Sequence, residues 1–131
     1  MMNWKITFPI IATFFLSCSQ RHKGCQISDY HGFTIDKANI TNKRSIYYKS
    51  ENILPKDEVC GSDYNEDYIF LKTKKVNNSI DFCYYAINVD SFAVNYGNPK
   101  NKIAISANSY EDFIRMLHSE CNVDTVIFCD F

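Results

Sequence analysis

This sequence predicts an α+β fold: a mostly antiparallel sheet of about six or seven strands, with one amphipathic helix packed on one face and a last strand at the C-terminus. Two β-branched and aromatic runs, Asp67–Lys72 and Ile80–Ile87, flank a polar Asn77-Asn78 connection, the pattern of an antiparallel hairpin. The stretch 109–120 carries a helical apolar period, and 123–131 is strongly apolar again. Nine Tyr and ten Phe against one Trp fit a β-rich domain, because aromatic rings pack well on pleated surfaces.

From the amino-terminal side, Gln26-Ile27-Ser28 and Gly32–Ile35 read as short strands around a turn at Asp29–Gly32. Arg44–Tyr48 is a strand bounded by Asn42-Lys43 and by Ser50–Asn52. Ile53–Asn65, with Pro55, Gly61 and several acids, reads as an irregular connection. After the hairpin, Ser91–Tyr96 alternates like a strand and stops at Gly97-Asn98-Pro99, and Lys102–Ser106 is another strand.

The helix is the best-defined element. The Ser109 hydroxyl can accept an orphan amide, and Glu111 and Asp112 suit the positive helix end. Tyr110, Phe113, Ile114 and Leu117 fall on one stripe, and Asn122 ends the run. Thr125–Cys129 then reads as a buried strand, so the stripe should pack on a sheet containing Ile103, Ile105, Ile127 and Phe128. The Ile103–Leu117 stretch, an aliphatic strand followed by Ser-aromatic-Glu-Asp-Phe-Ile-x-x-Leu, is similar to the last part of SUKH-type toxin-immunity proteins. That resemblance implies an immunity-like role, although the amino-terminal helix of that family has no counterpart here.

Residues 1–17 have a different character. One Lys, Lys5, precedes the uncharged run Ile6–Leu16, which is too short to span a bilayer at about 20 apolar residues. The run stops at Phe15-Leu16-Ser17-Cys18, which resembles the lipobox of bacterial lipoproteins. The resemblance implies that Cys18 is alkylated by diacylglycerol, that cleavage falls before it, and that the new amino terminus is acylated. Several acyl chains together anchor firmly where one does not. Residues 18–25 are then a lipidated Cys and short tether, and 26–131 a single globular domain. Ser19 is not the Asp that retains many lipoproteins in the inner membrane, so the outer membrane is the implied address. Two other readings stand beside this one: cleavage before Gln20 at Ser17-Cys18-Ser19, releasing a soluble protein, and an uncleaved helix, against which Pro9 argues.

Charge and cysteines bound the function. A net charge of −1 leaves no electrostatic footprint for nucleic acid, and the run Lys72-Thr73-Lys74-Lys75 reads as a strand edge. Cys25, Cys60, Cys83, Cys121 and Cys129 are disulfide candidates in an exported domain, and their odd number leaves one thiol over. Two bridges are expected: Cys25–Cys60, and Cys83 with Cys121 or Cys129. No C-x-x-C or His pair suggests a metal, no cofactor motif is present, and the acids Asp57, Glu58, Asp63, Glu66 and Asp67 do not follow the Ca²⁺-loop spacing.

For chemistry, His31 in a turn is the histidine best placed to be presented, and His118 reads as a helix-end residue. A free Cys with either His would be needed for a small hydrolase. The leading expectation is a membrane-anchored binder whose partner is an envelope protein or a glycan. An immunity-like protein and a Cys–His hydrolase are the alternatives.

Overall fold

The computed structural model describes residues 27–37, 43–76, 78–98 and 105–131. The leader 1–17, Cys18, Cys25, His22 and the tether, and Lys102–Ala104 with Ile103, lie outside the described residues. The α+β class and the helix near the C-terminus are as expected, but the strands form two antiparallel sheets. The first contains β1 (Phe33–Lys37), β2 (Arg44–Tyr48) and β3 (Glu51–Asn52), in that order. The second contains β4 (Asp57–Tyr64), β5 (Tyr68–Lys75), β6 (Asn78–Asn88), β7 (Ile105–Ala107) and β8 (Cys129–Asp130), in the order β7-β6-β5-β4-β8. Ile27 and Ser28 are in no strand, although Ile35 N–H donates to the Ile27 carbonyl at 2.9 Å.

Both faces of the five-stranded sheet are covered. On one face Val59, Ile69, Leu71 and Ile87 meet Phe33, Ile46 and Tyr48 of the small sheet. On the other, Phe70, Tyr84, Ala86 and Ile105 meet Phe113, Leu117, Val123 and Val126. Double coverage explains why Ile69-Phe70-Leu71 is a continuous apolar run and not an alternating one. The β5–β6 hairpin has the expected pairing, with Ile69 opposite Ile87 and Leu71 opposite Tyr85.

Three elements depart from the sequence reading, each for a physical reason. Ser91–Tyr96 is not a strand: helix α1 occupies Val89–Val94. The Asn88 side chain accepts the Ser91 N–H at 2.9 Å, and Asp90 sits in the first turn. Val89 and Phe92 are buried at helical spacing while Val94 is 83% exposed, so the apparent alternation is half of an i, i+3 stripe.

The irregular connection expected at Ile53–Asn65 is mostly strand β4. Its inward positions include Asp57, Gly61 and Ser62, which carry no hydrophobic signal. Gly61 is needed because β8 lies close: a Cβ there would meet the Asp130 carboxylate oxygen at 2.9 Å and the Cys129 carbonyl at 3.2 Å. A bulge between Val59 and Gly61 re-aims the strand.

The apolar tail is the third departure. Only Cys129 and Asp130 join the ladder, opposite Ser62 and Gly61, and residues 122–128 run without strand pairing. Val123 and Val126 are buried, but Ile127 is 57% exposed and does not cover the helix as expected. The Ile127 N–H finds its acceptor in the Asp63 carboxylate at 3.2 Å.

Helix α2 (Tyr110–Met116) continues as a π turn over Leu117–Cys121. Ser109 caps it, accepting the Asp112 N–H at 3.2 Å, and Asn122 closes it in the left-handed conformation at φ 55°. Phe113 and Leu117 are fully buried, as the stripe predicts, and Tyr110 reaches over the edge to donate to the Val126 carbonyl at 3.2 Å.

Candidate functional site

The small sheet has one buried and one open face. Pleating sends Phe33, Ile46 and Tyr48 into the core and turns Thr34, Asp36, Ser45 and Tyr47 the other way. Register places Thr34 directly opposite Tyr47 and Asp36 opposite Ser45. A shallow depression of about 310 Å³ lies on this outer face, lined by Gly32, Thr34, Asp36, Tyr47 and Ser50.

The backbone around it is strained. Asp29, His31, Lys49 and Ser50 have φ of 51°, 51°, 47° and 71°, and Gly32 has φ 88°. Lys49 and Ser50 form the tight turn between β2 and β3, where Asn-Gly is the favoured pair. Each non-glycine residue in the left-handed region costs about 1–2 kcal/mol, so neighbouring contacts must hold it there. They are present: the Lys49 N–H donates to the Gly32 carbonyl at 3.0 Å, and the Lys49 ammonium lies 5.5 Å from the Tyr48 ring centre. Gly32 itself could not carry a Cβ freely, since the Tyr48 ring would lie 3.2 Å away. Asp29 N–H donates to the Thr34 hydroxyl at 3.0 Å, which leaves that hydroxyl's own proton to be donated outward. His31 is exposed in this turn, its ring edge-on to Tyr30 at 4.5 Å.

A second depression, about 360 Å³, is lined by Arg44, Lys72, Lys74, Phe82, Phe131, Cys60, Glu58 and Asp130. Lys72 and Lys74 sit 4.3 Å and 4.9 Å from the Phe82 ring centre, and the Arg44 guanidinium lies 4.6 Å from that of Phe131. Its charge is largely answered from within: Lys72 pairs with Asp130 at 3.4 Å, and Glu58 stands opposite Lys74 in the ladder. Strand alternation also divides the basic run, because Thr73 and Lys75 face the other side of the sheet.

On that other side, Asp57 is buried and accepts three hydrogen bonds: from Thr73 Oγ1 at 2.8 Å, Tyr85 Oη at 3.0 Å and Lys75 Nζ at 2.6 Å. The Asp57 hydrogen bond pushes Lys75 up to about 12. Burial, with Asp57 adding to it, raises the Tyr85 hydroxyl above its ordinary value. Neither is ready to lose a proton near neutrality, so the cluster pins three strands together and is not arranged for acid–base work.

The cysteines correct the expected bridges. Cys60, Cys83 and Cys121 are free thiols, which leaves cysteines for one bridge and not two; Cys129 is disulfide-bonded. The Cys25–Cys60 pairing therefore does not form: the Cys60 thiol donates to the Glu58 carbonyl at 3.6 Å instead. Cys83–Cys129 is blocked by topology, since β5 and β4 lie between β6 and β8, three spacings of about 4.8 Å, against a Cα limit near 7 Å. Cys121 meets the Tyr68 hydroxyl, while Cys83 stands opposite Thr73, five residues further along β5. Burial first, then Glu58, pushes the Cys60 thiol up, and the lysines only partly offset this. A protonated thiol is a poor nucleophile.

Of the groups a Cys–His arrangement would use, Cys83 faces the Asn108 side chain at 3.9 Å and His118 faces Asp124 at 3.6 Å. Among the described residues no group of three His, Cys, Asp or Glu side chains could hold a metal ion, and no helix is long and apolar enough to cross a membrane.

The sequence reading missed Thr34, Asp36, Tyr47 and Ser50 as a group. Its signal was there in Tyr47-Tyr48, since adjacent residues of a strand must face opposite ways. No protein-family model, no curated protein and no solved structure matches this chain, so its function has to be argued from its own residues.

Proposed function

We propose that this chain is a lipoprotein of the bacterial envelope, tethered through Cys18 to the outer membrane, whose domain acts by binding with the outer face of the β1–β2–β3 sheet. The lipobox-like Leu16-Ser17-Cys18 supports the tether. The binding reading is carried by one observation: two left-handed turns, Asp29 to Gly32 and Lys49-Ser50, each give one residue, Gly32 and Ser50, to the lining of an open polar depression containing Tyr47. Strain held at one surface site by surrounding contacts marks a place where conformation matters more than local stability.

The two halves of the reading meet in the chain path. Ile27 docks on β1 through the Ile35 N–H, so a chain fixed at Cys18 keeps the small sheet within about 30 Å of the lipid, the reach of an extended tether.

Amide hydrogen exchange of the full chain in native envelope vesicles, against the same chain in polyoxyethylene detergent, tests the reading. Slower exchange within residues 29–37 and 44–52 in vesicles is expected. Equal exchange in both would refute binding at this face, and protection confined to 110–121 would move the contact to the opposite side of the domain.

A further inference from the structure

We propose that the depression on the outer face of the small sheet is a site for a neutral saccharide, an inference that rests on reading this face as the binding surface. Its size, about 310 Å³, falls at the lower end of the roughly 300–1,000 Å³ range of small-ligand sites. The groups that line it are those a sugar needs. Tyr47 offers an aromatic surface for the apolar C–H face of a pyranose ring and a hydroxyl at its rim.

Hydrogen-bonding capacity surrounds that ring. The Asp36 carboxylate is acceptor-only, and one oxygen takes the Lys37 N–H at 2.8 Å, which leaves the other for a sugar hydroxyl. Thr34 accepts from Asp29 N–H and so has its proton to give, and Ser50 can both donate and accept. This mixture of acceptor, donor and aromatic matches a ligand made of hydroxyls and C–H groups.

Charge decides which saccharide. Among the described residues the lining holds one carboxylate and no cation, so an acidic sugar or a phosphate would be repelled at Asp36. Nucleic acid, whose affinity comes from cations on phosphates, is excluded on the same ground. The walls are also fixed in advance. Gly32 and Ser50 border the depression and belong to the two left-handed turns joined by the Lys49 N–H to Gly32 bond, so little ordering cost falls on the bound state.

The test uses the full chain in polyoxyethylene detergent, since glucoside or maltoside detergents would compete. Calorimetric titration with maltohexaose and with an N-acetylglucosamine tetramer, and with a polygalacturonate fragment as the acidic control, reads the affinity. Saturable binding of at least one neutral oligosaccharide is expected, weakened at least about tenfold by Tyr47→Ala and changed little by Tyr47→Phe. Asp36→Ala should weaken it too, and it supplies the test if Tyr47→Ala does not fold. Absence of binding by both neutral probes, tighter binding of the acidic control, or binding indifferent to Tyr47 and Asp36 would each overturn the proposal. If neutral sugars fail while vesicle protection at 29–37 and 44–52 persists, the saccharide falls and the binding face stands.

Discussion

Removing the Asp57 carboxylate should be one of the most damaging single changes in this domain, although Asp57 sits in a stretch that looks like a loop. Asp57→Ala takes the acceptor from three donors that differ in how easily water can replace it. Lys75 is 46% exposed and turns to solvent at little cost. Tyr85 is part-buried and recovers some hydration. Thr73 is 0% exposed, so its hydroxyl is left without a partner in a dry place, at about 1–3 kcal/mol. With the lost charged bonds, the total is about 3 kcal/mol, at the lower edge of what breaking a buried ion pair costs. At about 4–8 °C per kcal/mol for a domain of this size, the midpoint should fall by roughly 12–24 °C. The decisive comparison is a cycle with Thr73→Val, which removes the stranded hydroxyl. The double variant should be more stable than the two single costs imply, by about 1 kcal/mol or more. Urea denaturation at pH 7 measures all four proteins. An Asp57→Ala cost below about 0.5 kcal/mol, or strict additivity with Thr73→Val, would show that the cluster is not a pin.

Three further outcomes follow from the same structure. Leu117→Ala, at a fully buried site between α2 and the sheet, should cost about 2–5 kcal/mol in a thermal melt; an unshifted midpoint would make the helix an interface instead. Lys75 has its pKa raised from 10.5 to about 12, so its stabilisation is complete below 10.5 and fades as pH rises through about 12; Lys75→Met should flatten the stability profile in that window when both are titrated. Ser50→Gly, at φ 71°, should raise stability by about 1 kcal/mol, and a loss of stability by urea titration would show that the turn is not strained.

The legible parts of this fold were those with a hydrophobic period. The β5–β6 hairpin and β2 bury the residues their spacing says they bury, and the Tyr110–Leu117 stripe buries Phe113 and Leu117 while Tyr110 stays 43% exposed at its edge. What escaped was polar or short. β4 hid because its inward side is Asp57, Gly61 and Ser62, satisfied by long-range partners such as Thr73 that no local window contains. α1 hid because Phe92, Val94 and Tyr96 alternate, and only the Asn88 cap with Asp90 behind it favours a helix. The tail escaped because apolar content alone does not separate a strand from an unpaired cover, and Val123 and Val126 cover a core without pairing. Disulfide partners depend on strand order, which spacing does not carry. The proposed binding face was similarly out of reach: Thr34, Asp36 and Tyr47 become neighbours only once β1 and β2 are in register.

The central claim, an envelope domain tethered at Cys18, is tested most directly by the intact mass of the mature protein, alkylated before any reduction and then sequenced from its amino terminus. The account predicts a chain beginning at an acylated Cys18, with Cys60, Cys83 and Cys121 alkylated at once and Cys129 only after reduction. An unacylated chain beginning at Gln20 or at Met1 would contradict the tether and, with it, the placing of the small sheet against the membrane.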